Sequence, residues 1–243
     1  EYALRSVFGR VNYSYDDRYL FEANLRYDGT SRFPKNKRFG AFPSFSLGWR
    51  VSQESWFNVS WVDNLKIRAS WGLLGNQDTV SSNYPYQNTY EYGYDYSFGN
   101  MLYPGISIAS TMANQDLTWE KTREFNVGLD FGFLNNRISG TIDWYNKVSR
   151  DLLMEQMTPL ELGSSTGAMM NNVGKVKNTG LEIALTTTNV QTKNFFWSTT
   201  FSFSTNKNEI LELNGGKEDL VANKWFIGQP IDVLYDYEYD GVC

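Results

Sequence analysis

The chain has 243 residues, long enough for one large all-β unit or two small domains. Its 41% hydrophobic and 20% charged content excludes disorder, and a mean hydropathy of −0.46 with no long apolar run excludes a transmembrane helix. A net charge of −5 excludes a nucleic-acid partner, the absence of histidine removes Ser-His-Asp hydrolysis and His-ligated zinc, and a single cysteine, Cys243, leaves no disulfide framework.

Strands are predicted wherever apolar and polar residues swap every position, because successive side chains of a strand point to opposite faces. The first runs over 5–15, with Val7, Val11, Tyr13 and Tyr15 on one face. After the turn Asp16-Asp17-Arg18, residues 19–28 set Phe21, Ala23, Leu25 and Tyr27 against Glu22, Asn24, Arg26 and Asp28. A polar loop over 29–40 holds Arg32, Lys35, Lys37 and Arg38, read as a solvated cluster. A third strand sets Phe45, Leu47, Trp49 and Val51 against Ser44, Ser46, Gly48 and Arg50. The connector 52–63 is expected to hold a short helical turn capped by Ser52, with Trp56, Phe57 and Trp61 at an interface.

The fourth strand alternates Leu65, Ile67, Ala69, Trp71 and Leu73 with Lys66, Arg68, Ser70 and Gly72. A long loop then spans about 75–117. The fifth strand, 124–133, places Phe125, Val127, Leu129, Phe131 and Phe133 on one side. It turns at 135–137 into a sixth, with Ile138, Gly140, Ile142 and Trp144 opposing Ser139, Thr141, Asp143 and Tyr145. Beyond a second long loop (about 153–172) come a seventh strand (173–188) and, after the turn 191–194, an eighth around 197–204. A loop over 208–230 precedes a ninth strand at 231–241.

Connections thus alternate between short and long. A strand of ~10 residues at ~3.3 Å per residue and a tilt of ~40° rises about 25 Å, the height of the apolar band of an outer-membrane barrel. Lys66 and Arg68 would be costly in the core of a soluble sandwich and cheap on a water-filled lumen. The expected fold is therefore all-β: a segment of a large antiparallel transmembrane β-barrel, about nine strands of it.

Several strings also carry a family likeness. NQDLTWEKTREFNVGLDFGFLNNRISGTIDWYNKVSRDLL (114–153) resembles the SusC/RagA group of TonB-dependent outer-membrane transporters. So does NVGKVKNTGLEIAL (172–185), with Asn172, Gly174, Asn178, Gly180 and Glu182 in a fixed arrangement. RYDGTSRF, FPSFSLGWRVSQE, WGLLGNQD and IGQP add to the likeness. It implies a barrel of about 22 strands closed by a plug, in the outer membrane of a Gram-negative, Bacteroidetes-like cell. It also implies uptake of oligosaccharides or peptides with a SusD-like surface lipoprotein as lid, energised by the TonB complex through the plug. On this likeness residues 1–243 are barrel alone, the plug and the final strands being absent, with outer-membrane lipid as a further partner. No catalytic residue, cofactor or metal is expected.

The candidate substrate contacts are Tyr84, Tyr86, Tyr90, Tyr92, Tyr94 and Tyr96, crowded into the loop 82–100 with Phe98. Tyrosine offers a flat apolar face to a sugar ring and a hydroxyl to its polar rim; the competing reading packs these rings onto the loop itself or onto a lid. A second set, Glu22, Arg26, Asp28, Lys66, Arg68, Asp130, Asp143 and Glu182, faces the lumen, to hold a plug, bias solutes or pair mutually. Three motif matches carry little. Ser204-x-x-Lys207 lies at a strand end, Asp236-x-Glu238-x-Asp240-Gly241 has no closing Glu for calcium, and Asn12-x-Ser14 and Asn58-x-Ser60 lie in or near strands. The alternative function is a secreted β-rich module that grips polysaccharide through the tyrosine-rich loop.

Overall fold

In a computed structural model, residues 1–78, 83–108, 112–159, 161, 167–236 and 241 are described. Eight long strands, β1 (Leu4–Tyr15), β2 (Tyr19–Thr30), β3 (Phe39–Arg50), β4 (Val62–Asn76), β9 (Glu120–Phe133), β10 (Ile138–Met157), β11 (Ala168–Gln191) and β12 (Phe196–Glu212), form one sheet. Each is antiparallel to the neighbour that precedes it in this order. Four three-residue strands between β4 and β9 pair apart from it: β5 (Tyr90–Tyr92) with β8 (Ile106–Ile108), and β6 (Tyr96–Phe98) with β7 (Met101–Tyr103).

The register explains why the alternation is so strict. One rung reads Tyr15, Tyr19, Trp49, Ile67, Leu129, Ile142, Ile183, Phe203 from β1 to β12. An adjacent rung of opposite parity reads Ser14, Leu20, Gly48, Arg68, Gly128, Asp143, Glu182, Ser204. Every strand contributes to one apolar and one polar face, and a slip of one residue anywhere would exchange them. The apolar face has no covering layer among the described residues: Leu47, Tyr13, Phe21 and Phe45 all remain exposed. A uniformly apolar, uncovered face is what lipid demands and water penalises.

Short hairpin turns gather at one rim. Asp16 and Asp17 (φ 52° and 51°) and Asn135 and Asn136 (φ 58° and 56°) adopt the left-handed backbone that tight turns require and that Asp and Asn tolerate. The connector at this rim begins with a 3-10 turn, Val51–Gln53, as expected, but Ser52 does not cap it. The Ser52 hydroxyl instead accepts the Leu65 N–H at 3.1 Å, fastening the connector to β4. Trp56 and Trp61 stand exposed beside it.

Glu54 is the polar keystone of the connector. It is buried and accepts hydrogen bonds from the Tyr19 hydroxyl (2.6 Å), Trp49 Nε1 (2.9 Å) and Arg18 Nη1 (3.2 Å). The Tyr19 bond, then that from Trp49, holds the Glu54 carboxyl below the usual carboxylate range. A folded-state value below the unfolded one gives stability that is present above about pH 4.3 and is lost as pH falls toward the folded value. Glu54→Gln is expected to flatten the acid side of the stability profile of the intact protein in that window. Urea midpoints from pH 7 down to pH ~3 check this, and an unchanged acid limb would refute it.

Two expectations need correction. Among the described residues the sheet has eight strands where about nine are expected: residues 231–236 form no strand, and 237–240, most of the rest of the expected ninth, lie outside the described residues, as does Cys243. The segment before them folds back on the open edge of β12, with Ile210 N–H donating to Gln229 O and Gly228 N–H to Ile210 O. Half of the loop expected over 153–172 is strand, since β10 runs to Met157 and β11 begins at Ala168. A bulge at Asp151 (φ 58°) shifts the register and breaks the alternation that a sequence reading depends on.

Candidate functional site

Two features at the long-loop side carry the functional interest: a projecting tyrosine arm and a polar wall. The arm is a pair of nested hairpins, β5 with β8 and β6 with β7, that does not join the main sheet. Its glycines sit where the chain must bend: Gly93 and Gly99 have φ of 96° and 61°, which a side chain would strain.

The arm divides the six candidate tyrosines. Tyr84 and Tyr86 stand at its base, ring edge to face with centroids 6.2 Å apart. Tyr84 donates its hydroxyl to Glu1 O at 2.8 Å, and Arg38 Nη2 donates to the Tyr86 hydroxyl at 3.3 Å. These two anchor the arm. Tyr90, Tyr92, Tyr94 and Tyr96 lie along it and are 57–85% exposed. Tyr94 donates its hydroxyl to Glu91 Oε2 at 3.0 Å, and that bond raises its pKa. Phe98, Met101, Leu102 and Ile106 add exposed apolar area.

The anchoring rests on a small core that the sequence reading missed. Phe33, Phe42, Leu117 and Trp119 are buried together, with Leu153 and Met170 packed against them. Phe42 lies on the polar face of β3, two residues from Ser44, and its ring rests over Gly40 and Gly75. A Cβ on Gly75 would fall 2.1 Å from Phe42 Cζ. Trp119 meets Phe33 and Phe42 edge to face and donates Nε1–H to Arg38 O at 2.9 Å. The strings FPSF and DLTWE held this signal, but Phe42 falls where the alternation expects a polar residue and Trp119 lies just before β9, outside the alternating run.

Farther toward the short-turn rim, the polar face carries an ion cluster. Arg68 donates to Asp130 (2.8 Å) and to Asp143 (3.0 Å), and Lys66 lies 3.9 Å from Asp130. Arg68 reaches β10 across β9 because the residue between them, Gly128, has no side chain. A Cβ there would sit 2.4 Å from Asp143 Oδ1 and 2.8 Å from Arg68 Cζ. Gly128→Ala is expected to part Arg68 from Asp143 and cost about 1–3 kcal/mol. A double-mutant cycle with Arg68→Leu should absorb most of that cost; full additivity would show that the glycine acts otherwise. Of the other ionisable candidates, Glu22 accepts from Asn24 Nδ2 (2.7 Å) and Asp28 from Arg26 Nη2 (2.7 Å), while Glu182 is exposed. Mutual pairing is thus the dominant arrangement.

A sheet with this register is matched among known proteins. Residues 1–235 match the family described as TonB dependent receptor-like, beta-barrel. The chain belongs to the TonB-dependent receptor β-barrel family. Within it the likeness is to the SusC/RagA group. The chain is 40% identical over 222 residues to the TonB-dependent receptor SusC of Bacteroides thetaiotaomicron, covering 88% of this chain and 21% of that protein. It is 33% identical over 255 residues to the TonB-dependent receptor P3 of Formosa agariphila, covering 100% of this chain and 25% of that one. A structure of the RagAB peptide transporter superimposes with a TM-score of 0.82 at 31% identity, covering 94% of this chain and 25% of that one. The siderophore receptor PirA of Pseudomonas aeruginosa shares the fold alone, at TM-score 0.52 and 13% identity, over 86% of this chain and 37% of that one.

The TonB-dependent receptor barrel thus accounts for the sheet, and its apolar face is a transmembrane face. The chain spans about a fifth to a quarter of the length of the two TonB-dependent receptors named above. Those relatives are receptors and transporters.

Proposed function

We propose that this chain supplies part of the wall and outer loops of a TonB-dependent importer of oligosaccharides or peptides in the outer membrane of a Bacteroidetes-like cell. Eight strands in one continuous register, apolar on one face and polar on the other, carry this reading together with the SusC and RagAB likenesses. The wall makes and breaks no bond. TonB acts on a plug within the barrel, and a SusD-like lipoprotein closes the long-loop side. Tyr90, Tyr92, Tyr94 and Tyr96 meet the arriving substrate as an exposed stacking surface, with Tyr84 and Tyr86 holding the arm in place.

A secreted soluble module would leave the whole apolar face in water, which disfavours that alternative. The decisive experiment is growth of a strain lacking the gene on single glycans and peptides. Loss on a specific carbohydrate or peptide source supports the importer, and unchanged growth on all of them rejects it. Tyr90, Tyr92 and Tyr94 replaced together by alanine in the intact protein should weaken cargo binding by roughly tenfold or more, each stacked ring contributing ~1 kcal/mol. Unchanged binding removes the arm from the site and leaves the importer reading standing.

A further inference from the structure

Three cavities of about 560, 240 and 250 Å³ follow one another along the polar face of β2, β3 and β4. They share walls: Glu22, Ser46 and Ser70 between the first two, Asn24, Ser44 and Gly72 between the last two. The run extends from Arg68 to Asp28 near the tyrosine arm's base. Its floor is made of small residues, Ser44, Ser46, Gly48, Ser70 and Gly72, and longer polar side chains stand on either side.

We propose that this furrow is the path of a neutral, hydroxyl-rich chain, a carbohydrate without charged groups; the inference rests on the importer reading above. Three observations carry it. First, the charges along the furrow are already spent on one another. Glu22 is held by Asn24 and lies 3.9 Å from Arg10, Asp28 is held by Arg26, Arg68 by Asp130 and Asp143, Lys66 lies 3.9 Å from Asp130, and Glu124 lies 3.6 Å from Lys147. A charged passenger would have to break one of these pairs to gain one. Second, one rung of the furrow presents neutral groups with unspent hydrogen-bonding capacity. Asn12, Ser46, Ser70 and Asn126 stand in one rung across four strands plus Glu22, and none of these four side chains bonds another described residue. Such groups both donate and accept, as a sugar hydroxyl does. Third, at the end nearest the arm the Asp28 carboxylate is buried, and its Oδ1 has no partner among the described residues. With Arg26 already neutralising that carboxylate, a hydroxyl donor satisfies Oδ1 without adding charge. The Leu74 side chain beside it offers an apolar contact for the C–H face of a ring.

The test uses the intact protein in cells, with every native cysteine, Cys243 among them, replaced by serine as background, and Ser46→Cys, Ser70→Cys or, far across the same face, Ser202→Cys. A membrane-impermeant maleimide added outside should label Ser46→Cys and Ser70→Cys. A neutral oligosaccharide whose use requires the gene, at about ten times its Kd, should slow that labelling roughly tenfold and leave Ser202→Cys unaffected. Failure to label positions 46 and 70 while position 202 labels would show that protein covers this wall, and would overturn the path. Protection by peptides or charged glycans alone, or equal protection at position 202, would also overturn it while the importer stands. A gene dispensable on every carbon source removes the importer reading itself, which the growth experiment detects separately.

Discussion

Replacing Trp119 with alanine is expected to destabilise the intact protein by about 4 kcal/mol, the largest single effect among the side chains described. The indole is buried between Phe33 and Phe42, and its removal leaves a void lined by their rings. The Phe42 ring cannot fall into that void freely, because it lies on Gly40 and Gly75. The Arg38 carbonyl would also lose the donor it now has in Trp119 Nε1. Trp119→Phe retains most of the volume and loses only that bond, so about 1–2 kcal/mol is expected. Urea unfolding in detergent micelles gives both numbers. The functional consequence follows from what the core holds: Arg38 bonds Tyr86, and Asn114 N–H donates to Pro85 O. Trp119→Ala should therefore release the base of the tyrosine arm and raise protease cleavage near residues 83–90 before the sheet itself unfolds. Cleavage that rises only with global unfolding would separate the core from the arm.

The sequence showed the sheet well because a lipid-facing wall has one physical rule, apolar out and polar in, applied at every rung. All eight long strands and their faces follow from that rule, including the assignment of Lys66, Arg68, Asp130 and Asp143 to the polar side. It fails where a different rule takes over. Near the long-loop side the polar face receives a protein layer of its own, from residues 31–38 and 114–119, so Phe42 packs against Trp119 where a water-filled lumen would call for serine. At Asp151 a bulge changes parity, and the consecutive apolar residues Leu152, Leu153 and Met154 look like loop although they are strand. Residues 231–236 show the reverse error. An alternation of acidic residues with Leu234 and Tyr235 suggested a strand, but the edge of β12 at Ile210 is taken by Gly228 and Gln229. The six tyrosines were visible as a cluster; their division into anchors and exposed rings depends on tertiary partners, Glu1 and Arg38, that no local pattern encodes.

Asn172 is expected to matter nearly as much as Trp119, although it is a polar residue on a polar face. Its amide accepts the Thr118 N–H at 2.9 Å and donates to two carbonyls, Thr118 O at 2.9 Å and Asp151 O at 2.7 Å. One side chain thereby pairs the backbone entering β9 and the bulged residue of β10 from its place on β11. Backbone groups at a bulge have no ladder partner, so this amide stands in for a missing strand bond. Asn172→Ala leaves three part-buried backbone groups unpaired, and about 3 kcal/mol of destabilisation is expected. Asn172→Asp is nearly the same size and keeps the acceptor for Thr118 N–H, but it forfeits both donors and sets a charge against two carbonyl oxygens. At neutral pH it should be at least as damaging as alanine, an order that a purely space-filling role would reverse. Because Thr118 adjoins Trp119, the Asn172→Ala and Trp119→Ala costs should be less than additive. If the double variant shows the full sum of the two, the polar clamp and the aromatic core act independently, and the arm's base is held by two structures rather than one.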